Sequence, residues 1–215
     1  MRADDVARYL QENPVFFEQY ADLLSQIYIP HPHGGRAIPL SERQVITLRD
    51  RARALETRLA ELLEVAEEND AIGEKMHRLC LALMQAPDLP ALLSTLYYNL
   101  REDFAVPHSA LRIWRDGATI DLPEARGVSE DMKRYAAGLA QPFCGPGGNT
   151  EAVAWFGEAA AHVRSVACVP LGSRDQCFGM LVLGSEDVTR FYPEMGTVYL
   201  RRLGELAGAS LLRFA

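Results

Sequence analysis

The sequence has few of the features that would point to a membrane or to a nucleic acid. No stretch approaches the roughly 18 apolar residues of a membrane span, and residues 1–10 lack the apolar core of a signal peptide. The 22 basic residues are outnumbered by 29 acidic ones, giving a net charge of −7, and they form no dense basic patch. Phosphate backbones are bound by clustered Lys and Arg. We therefore expect neither a membrane nor a nucleic acid as partner.

Cysteine is scarce as well. The four cysteines, Cys80, Cys144, Cys168 and Cys177, have no CxxC spacing and predict no disulfide framework. Such a chain, without a targeting segment, is expected in the cytoplasm with reduced thiols. Cys168 and Cys177 flank one predicted hairpin and can be considered as a redox pair, although cysteines in a cytosolic sheet are more often small core residues.

Patterns that would indicate catalysis or metal binding are missing too. The sequence shows no Ser/His/Asp set, no phosphate-binding loop and no pair of carboxylates at catalytic spacing. His31 and His33 lie in a segment rich in Pro and Gly, but a closed metal site needs about four ligands and no third one is near. We therefore expect a structural linker there, no metal and no enzymatic activity, and the sequence identifies no cofactor.

What the chain does have is a long amphipathic pattern over residues 41–83. Apolar residues recur at alternating steps of three and four, which is typical of the seam of a coiled coil. Ser41 and Gln44 have the spacing of a capping box at its start. A helix of about forty residues is roughly 60 Å long, so this stripe needs a second helix to cover it. The stripe consists of Val45, Leu48, Ala52, Leu55, Leu59, Leu62, Ala66, Asn69, Gly73, Met76, Cys80 and Leu83.

This stripe predicts a homodimer. Its central contacts would be made by Val45, Leu48, Leu55, Leu59 and Leu62. Arg51 and Glu56 flank the seam where a parallel pair would bring them together, whereas the basic first half and acidic second half of the helix favour an antiparallel pair. The orientation stays open. Gly73 is either a hinge or a point of close helix packing.

The pattern divides the chain into three parts. Residues 1–38 form a short helical head and a Pro/Gly linker, residues 39–85 the long dimerisation helix, and residues 86–215 a globular domain. The head contains two short helices separated at Asn13-Pro14, with Pro14 at the first position of the second. That second helix carries Phe16, Phe17 and Tyr20. It is too aromatic to be left in water, so we expect it to dock on another surface.

The globular domain is predicted to be of the α+β class. A helix follows Asp88, a hairpin turns at Asp116-Gly117, a helix covers 129–140, and a second hairpin pairs 163–171 with 177–184. Residues 141–149, rich in Gly and Pro, are predicted to hold no regular structure, and a helix closes the chain over 194–214. This order predicts an antiparallel sheet with helices mostly on one face.

The second hairpin resembles the closing hairpin of GAF domains. It reads Ser165-Val166-Ala167-Cys168-Val169-Pro170-Leu171 and then Phe178-Gly179-Met180-Leu181-Val182-Leu183-Gly184-Ser185, against S-x-x-x-V-P-L and G-x-L-x-L. Over the whole chain, the sequence is similar to the bacterial "domain of unknown function 484" family. The matching motifs are Tyr9-Leu10, Asn13-Pro14-x-Phe16-Phe17, Pro30-His31, Ser41-Glu42-Arg43-Gln44, Gly184-Ser185-x-Asp187-x-x-Arg190-Phe191 and Met195-Gly196-Thr197.

This resemblance implies a GAF-like fold and a long dimer helix, and it brings no catalytic residues with it. GAF relatives that bind cyclic nucleotides usually carry a motif of the N-K-x-F-D-E type. No such motif occurs between Gly127 and Val163, which argues against cyclic nucleotides.

One face of the first hairpin is the candidate ligand side. Arg112 and Trp114 alternate with Leu111 and Ile113 and offer a charge and a stacking surface for an anionic or aromatic molecule, or else a solvated Arg and a packed Trp. The segment 141–149 is expected to close over this face. Cys144 has no His or Lys beside it in sequence to activate its thiol. The candidate ligand-binding residues are Arg112, Trp114, Tyr135, Cys144, Trp155 and His162.

The sequence thus predicts a non-catalytic, cytoplasmic regulatory or sensory homodimer with a GAF-like fold and a small-molecule site on its sheet. A structural adaptor that binds proteins and no ligand is the alternative, and an enzyme ranks third.

Overall fold

A computed structural model describes residues 2–29, 38–114, 122–147, 151–173 and 176–214. The chain forms two compact units, Met1–Asn69 and Asp70–Ala215. Three predictions lie outside the described residues: the His31 and His33 segment, the side chain of Ser41 in the capping box, and the turn at Asp116 with most of the strand after it.

The first unit begins with three short helices rather than two. These are α1 (Ala3–Glu12), α2 (Val15–Gln19) and α3 (Ala21–Gln26). The second predicted helix is interrupted at Tyr20, whose φ of −121° and ψ of 40° are not helical. A short antiparallel pair follows, in which β1 (Tyr28–Ile29) lies beside β2 (Ile38–Pro39). No described residue of α1 or α2 is buried.

The predicted long helix is confirmed. Helix α4 runs without a break over Leu40–Gln85. Its last turns belong to the second unit, where Leu79 and Leu83 are fully buried and Met76 packs against the same cluster. The end of the predicted seam is therefore covered by the chain's own core, and needs no partner.

The second unit is built on a four-stranded antiparallel sheet. Its strands are β3 (His108–Ile113), β4 (Phe143–Pro146), β5 (Ser165–Leu171) and β6 (Gly179–Ser185), in the order β3-β6-β5-β4. The predicted hairpin of β5 and β6 is confirmed. All seven residues of β6 are buried, because this central strand is covered on both faces.

Strand β4 corrects the prediction that residues 141–149 hold no regular structure. Phe143 and Cys144 pair with Cys168 and Ala167 of β5. The Gly and Pro residues of this segment argued against a strand. An edge strand tolerates them, because one side of its backbone makes no hydrogen bonds to a neighbouring strand. Hydrogen bonding to the backbone of β5 makes this segment a strand, which its local propensity did not predict.

Helices cover both faces of this sheet. On one face, α5 (Leu89–Glu102), α8 (Val198–Leu211) and the end of α4 enclose the larger core, and α5 starts at Asp88, whose carboxylate accepts a hydrogen bond of 2.8 Å from the Ala91 amide. On the other face, α6 (Glu130–Gly138) and α7 (Glu151–Ala154) cover a smaller cluster around Met180. The predicted α+β class is confirmed. The expectation that helices lie mostly on one face holds only for the long ones.

Candidate functional site

A cavity of about 460 Å³ opens beside β3. Its walls come from four segments that are far apart in sequence: α5, β3, the 3-10 helix Pro123–Ala125 with Arg126, and the pair Trp155 and Phe156 after α7. This volume lies within the roughly 300–1,000 Å³ of ligand sites that hold drug-sized molecules. The cavity is therefore large enough to hold a small organic molecule.

Arg112 is the central charged group of this cavity. Alternation along β3 turns its side chain to the face covered by α6 and α7, away from the buried Leu111 and Ile113. Its guanidinium carbon lies 5.3 Å from the centroid of the Trp155 ring, and its Nη1 donates a hydrogen bond of 2.9 Å to the Leu111 carbonyl oxygen. A guanidinium has five N–H donors, so this one bond leaves most of them available for an acidic ligand.

Tyr97 and Glu124 join α5 to the wall of the cavity. The Tyr97 hydroxyl donates a hydrogen bond of 2.9 Å to Oε1 of Glu124. Burial, and then the nearby Glu124 charge, raise the pKa of Tyr97 well above its ordinary value of 10.0. The phenol therefore stays protonated at physiological pH and remains a donor. Since Tyr97 belongs to the helix that packs on the opposite face of the sheet, this bond connects that helix layer to the cavity.

His108 has one ring nitrogen without a hydrogen-bond partner among the described residues. Its Nε2 atom is buried without a partner among the described residues, and it lies 3.6 Å from Oε1 of Glu186. That separation is too long for a hydrogen bond and becomes an ionic contact only when the imidazole is protonated. The ring lies 6.1 Å from that of Phe156. His108 thus contributes a polar side chain to the cavity wall.

Of the six residues predicted as ligand-binding, the structure brings two together. Arg112 and Trp155 line the cavity. Trp114 instead packs beneath α6, and its Nε1 donates a hydrogen bond of 3.0 Å to the Cys177 carbonyl oxygen. Tyr135 is partly exposed on α6, where its side chain is hydrogen-bonded with Cys168 and not in the cavity. His162 is exposed at the end of the 3-10 helix Gly157–Ala161.

Cys144 belongs to the core on the opposite face, beneath the long helices. For residues 141–147, which the structure describes, the expected closure over the cavity is wrong, because β4 lies at the edge of the sheet opposite to β3. Sequence reasoning missed five lining residues that no shared motif connects: Tyr97, Arg101, His108, Glu124 and Arg126.

The buried thiols are poorly suited to redox chemistry. Burial raises the pKa of Cys144 to about 11, and burial also raises that of Cys168 to about 11 despite a hydrogen bond with Tyr135. The thiolate is the reactive form, so both thiols are unreactive near neutral pH. Cys168 lies opposite Val182 in the ladder rather than opposite Cys177. The hairpin therefore does not align the two cysteines that the sequence suggested as a pair.

A second cavity, of about 600 Å³, lies between α8 and the end of β5. Its charged residues are Arg201 and Glu205, whose side chains are 3.9 Å apart and compensate each other. Most of the other lining residues are Gly, Ala, Pro and Leu. This cavity is larger, but it offers no uncompensated charge to recognise a polar ligand. We therefore place the candidate site at the cavity beside β3.

Two features are absent from the described ranges, a cluster of metal ligands and a membrane-spanning helix. Among these residues, no three His, Cys, Asp or Glu side chains are grouped as metal ligands. Within the same ranges, no helix combines the length and apolar character needed to cross a membrane.

Comparison with known proteins identifies a family and a similar solved domain. The family described as "Protein of unknown function, DUF484" matches residues 1–215. Among solved structures, the chain is similar to "the GAF domain of a putative sensor histidine kinase from Pseudomonas syringae pv. tomato", with a TM-score of 0.46 and 20% identity. The match covers 69% of this chain and 90% of that one. No curated protein matches the chain.

Proposed function

This chain belongs to the DUF484 family, and from that premise we propose that it is a non-catalytic, cytoplasmic regulatory homodimer that recognises a small acidic molecule beside β3. The observation that carries this proposal is the placement of Arg112 against Trp155, at 5.3 Å, inside a cavity of about 460 Å³. A cation held against an aromatic ring is kept in a fixed orientation. Recognition of an acidic group needs such a preorganised charge.

The homodimer is proposed because of what one chain leaves exposed. The seam residues Val45, Leu48, Leu55, Leu59 and Leu62 are all exposed in the single chain. Burying an aliphatic side chain contributes about 1.5–3 kcal/mol, so this stripe favours association. A second copy is the occupant with a matching period, and its Glu56 would lie near Arg51 of the first copy in a parallel pair.

Native mass spectrometry tests the ligand and the dimer together. Protein purified without denaturation is expected as a dimer that retains a small acidic molecule. Arg112→Ala is expected to lose that molecule and to remain a dimer, because Arg112 lies on the sheet and not on α4.

The matched control is Arg134→Ala, which removes an exposed arginine of α6 whose ion-pair partner is Asp131. Control protein should keep the molecule. Retention of the molecule by Arg112→Ala, or a wild-type dimer with no molecule bound, would contradict the proposed recognition.

A structural adaptor is the second candidate, and the head of the first unit favours it. Tyr9, Val15, Phe17 and Tyr20 expose much of their apolar surface, and the rings of Phe16 and Tyr20 stack with centroids 4.9 Å apart. Exposed apolar patches of this kind mark protein interaction sites. An adaptor would form the same dimer, and its activity would not depend on Arg112.

A further inference from the structure

We propose that the cavity beside β3 selects a ligand with a dianionic head group on a flat aromatic ring, a chemistry typical of an aryl or nucleoside phosphate. This inference rests on the proposed function and specifies the ligand class of the same site. Its basis is the balance of charge in the cavity wall together with the two aromatic side chains beside it.

The wall carries an excess of positive charge in an otherwise acidic protein. Arg101, Arg112 and Arg126 line the cavity from three different elements, and Glu124 is the one carboxylate among the lining residues that the structure describes. The chain as a whole has a net charge of −7. Arg101 already pairs with Glu102, so the guanidiniums of Arg112 and Arg126 remain without an ion-pair partner among the described residues. A head group with oxygens and charge for both guanidiniums suits this wall better than a monocarboxylate, which fits only one of them. A phosphate monoester, with a charge of about −1.5 to −2 at pH 7, is such a head group.

The carboxylate that would repel such a ligand is already engaged. Glu124 accepts its hydrogen bond from the Tyr97 hydroxyl, so its charge is partly compensated on the α5 side. Within the described residues, no carboxylate forms an ion pair with Arg112 or Arg126. The Arg112 guanidinium is thus oriented by Trp155 and the Leu111 carbonyl oxygen without being neutralised, and Arg126 is exposed at the edge of the cavity. Guanidinium binds phosphate oxygens in a bidentate manner.

The aromatic part of the ligand is specified by Trp155 and Phe156. Both side chains are half-buried and line the cavity next to Arg112. A flat ring gains contact area against such side chains, and stacking of a ring on an aromatic residue is favourable by about 1–3 kcal/mol per base in nucleic acid complexes. A ligand with both the ring and the head group should therefore bind more tightly than either part alone.

Two of the three arginines, Arg101 and Arg126, are exposed, and this exposure limits how strongly they can favour a dianion. Arg126 is exposed, and the Arg101 side chain is 76% exposed, with its Nε 3.6 Å from the exposed Glu102. Exposed charges are screened by salt, with a Debye length of about 8 Å at physiological ionic strength. The preference for a dianion over a monoanion is therefore expected to be about tenfold at low salt, which corresponds to about 1.4 kcal/mol, and to shrink at high salt.

The chain contains a built-in reporter and control for the test. Its two tryptophans are Trp155 in the cavity and Trp114, whose indole N–H is bound to Cys177 away from the cavity. Indole N–H signals in ¹H–¹⁵N spectra, assigned with Trp114→Phe, report on each separately. Titration with phenyl phosphate should shift the Trp155 signal and leave the Trp114 signal in place. Benzoate, inorganic phosphate and phenol test a single charge, the head group alone and the ring alone.

Substitutions test which arginine causes the preference for a dianion. Arg126→Gln is expected to reduce the preference for phenyl phosphate over benzoate from about tenfold to about threefold, while Arg134→Gln on α6 leaves it unchanged. The unshifted Trp114 signal confirms that each variant is folded.

The possible outcomes separate this inference from the proposed function. Equal or tighter binding of benzoate would overturn the dianion and leave recognition of an acidic molecule standing. Inorganic phosphate binding as tightly as phenyl phosphate would overturn the aromatic part. No shift of the Trp155 signal with any anionic probe would overturn both proposals.

Discussion

Two parts of one helix, α4, carry the same apolar spacing and have opposite surroundings. Leu55 and Leu59 are 64% and 58% exposed, whereas Leu79 and Leu83 are completely buried. The second pair lies in the unit Asp70–Ala215, where α5 and α8 supply a core for it. The first pair lies in a unit whose described head residues provide no buried cluster. An apolar stripe therefore indicates that the helix needs a surface to cover it. The rest of the chain decides whether that surface comes from the same molecule.

Truncating one leucine from each part of α4 tests this contrast most strongly. Leu83→Ala should destabilise the chain by about 2–5 kcal/mol, because it leaves a cavity in a closed core. Leu59→Ala should change the stability of the folded second unit much less, because its side chain is exposed in the single chain. Urea denaturation, followed by the fluorescence of Trp114 and Trp155, measures both. Equal losses of unfolding free energy in the two variants would contradict the difference in burial between the two parts of α4.

A charge placed on the exposed part probes the proposed dimer. Leu59→Glu should weaken association by about a hundredfold, since one buried aliphatic side chain contributes about 1.5–3 kcal/mol and a buried unpaired charge costs more. Thr57→Glu puts the same charge two positions along α4, off the seam, and should leave the dimer intact. Sedimentation velocity at micromolar concentration distinguishes them. A wild-type protein that sediments as a monomer would contradict the homodimer.

The buried thiols of the second unit predict a loss of stability at alkaline pH. The pKa of Cys168 is raised from 9.0 to about 11 by burial, so the folded state holds its proton where the unfolded state has lost it. This contribution is present below about pH 9 and is lost as the pH rises towards 11. Cys168→Ala should therefore reduce the fall in unfolding free energy between pH 9 and 11, by up to about 1.4 kcal/mol per pH unit. Identical slopes for the variant and the wild type would contradict this.

The smallest expected effect is at Gly73, close to the boundary between the two parts of α4. A Cβ built on Gly73 meets nothing within 4 Å in the single chain. Gly73→Ala should therefore raise stability by about 1 kcal/mol, because glycine is unfavourable inside a helix. Thermal unfolding gives the sign. A loss of stability would mean that a partner helix packs closely against this glycine, and it would rule out the hinge.

Helices and strands with a clear hydrophobic period or a capping residue were predictable, because the pattern lies within their own residues. Helix α5 with its cap at Asp88, the hairpin of β5 and β6, and α6 starting after Ser129 all follow from local patterns. Asp187 accepts hydrogen bonds of 2.8 Å from the amide and the hydroxyl of Thr189, two residues further on. These contacts span a few residues, so the sequence contains both partners side by side.

The candidate site was less predictable because it is assembled from distant segments. Alternation along β3 correctly predicted the face on which Arg112 lies. It also predicted Trp114 as part of the site, but the indole of Trp114 is hydrogen-bonded to the Cys177 carbonyl oxygen instead. Trp155 takes its place beside the guanidinium. The Tyr97–Glu124 hydrogen bond joins residues 27 positions apart, from two elements that share no pattern.

The sequence by itself determined the local elements: a long helix with an apolar stripe, an α+β domain and an excess of acidic charge. Periodicity and capping are short-range properties, so each stretch carries its own information. Only the tertiary structure decided which apolar residues meet each other. It paired a segment rich in Gly and Pro with β5, buried Leu83 but not Leu59, and gathered positive charge beside Trp155. Pairing and burial depend on residues far apart along the chain, and their contacts exist only once the backbone has folded.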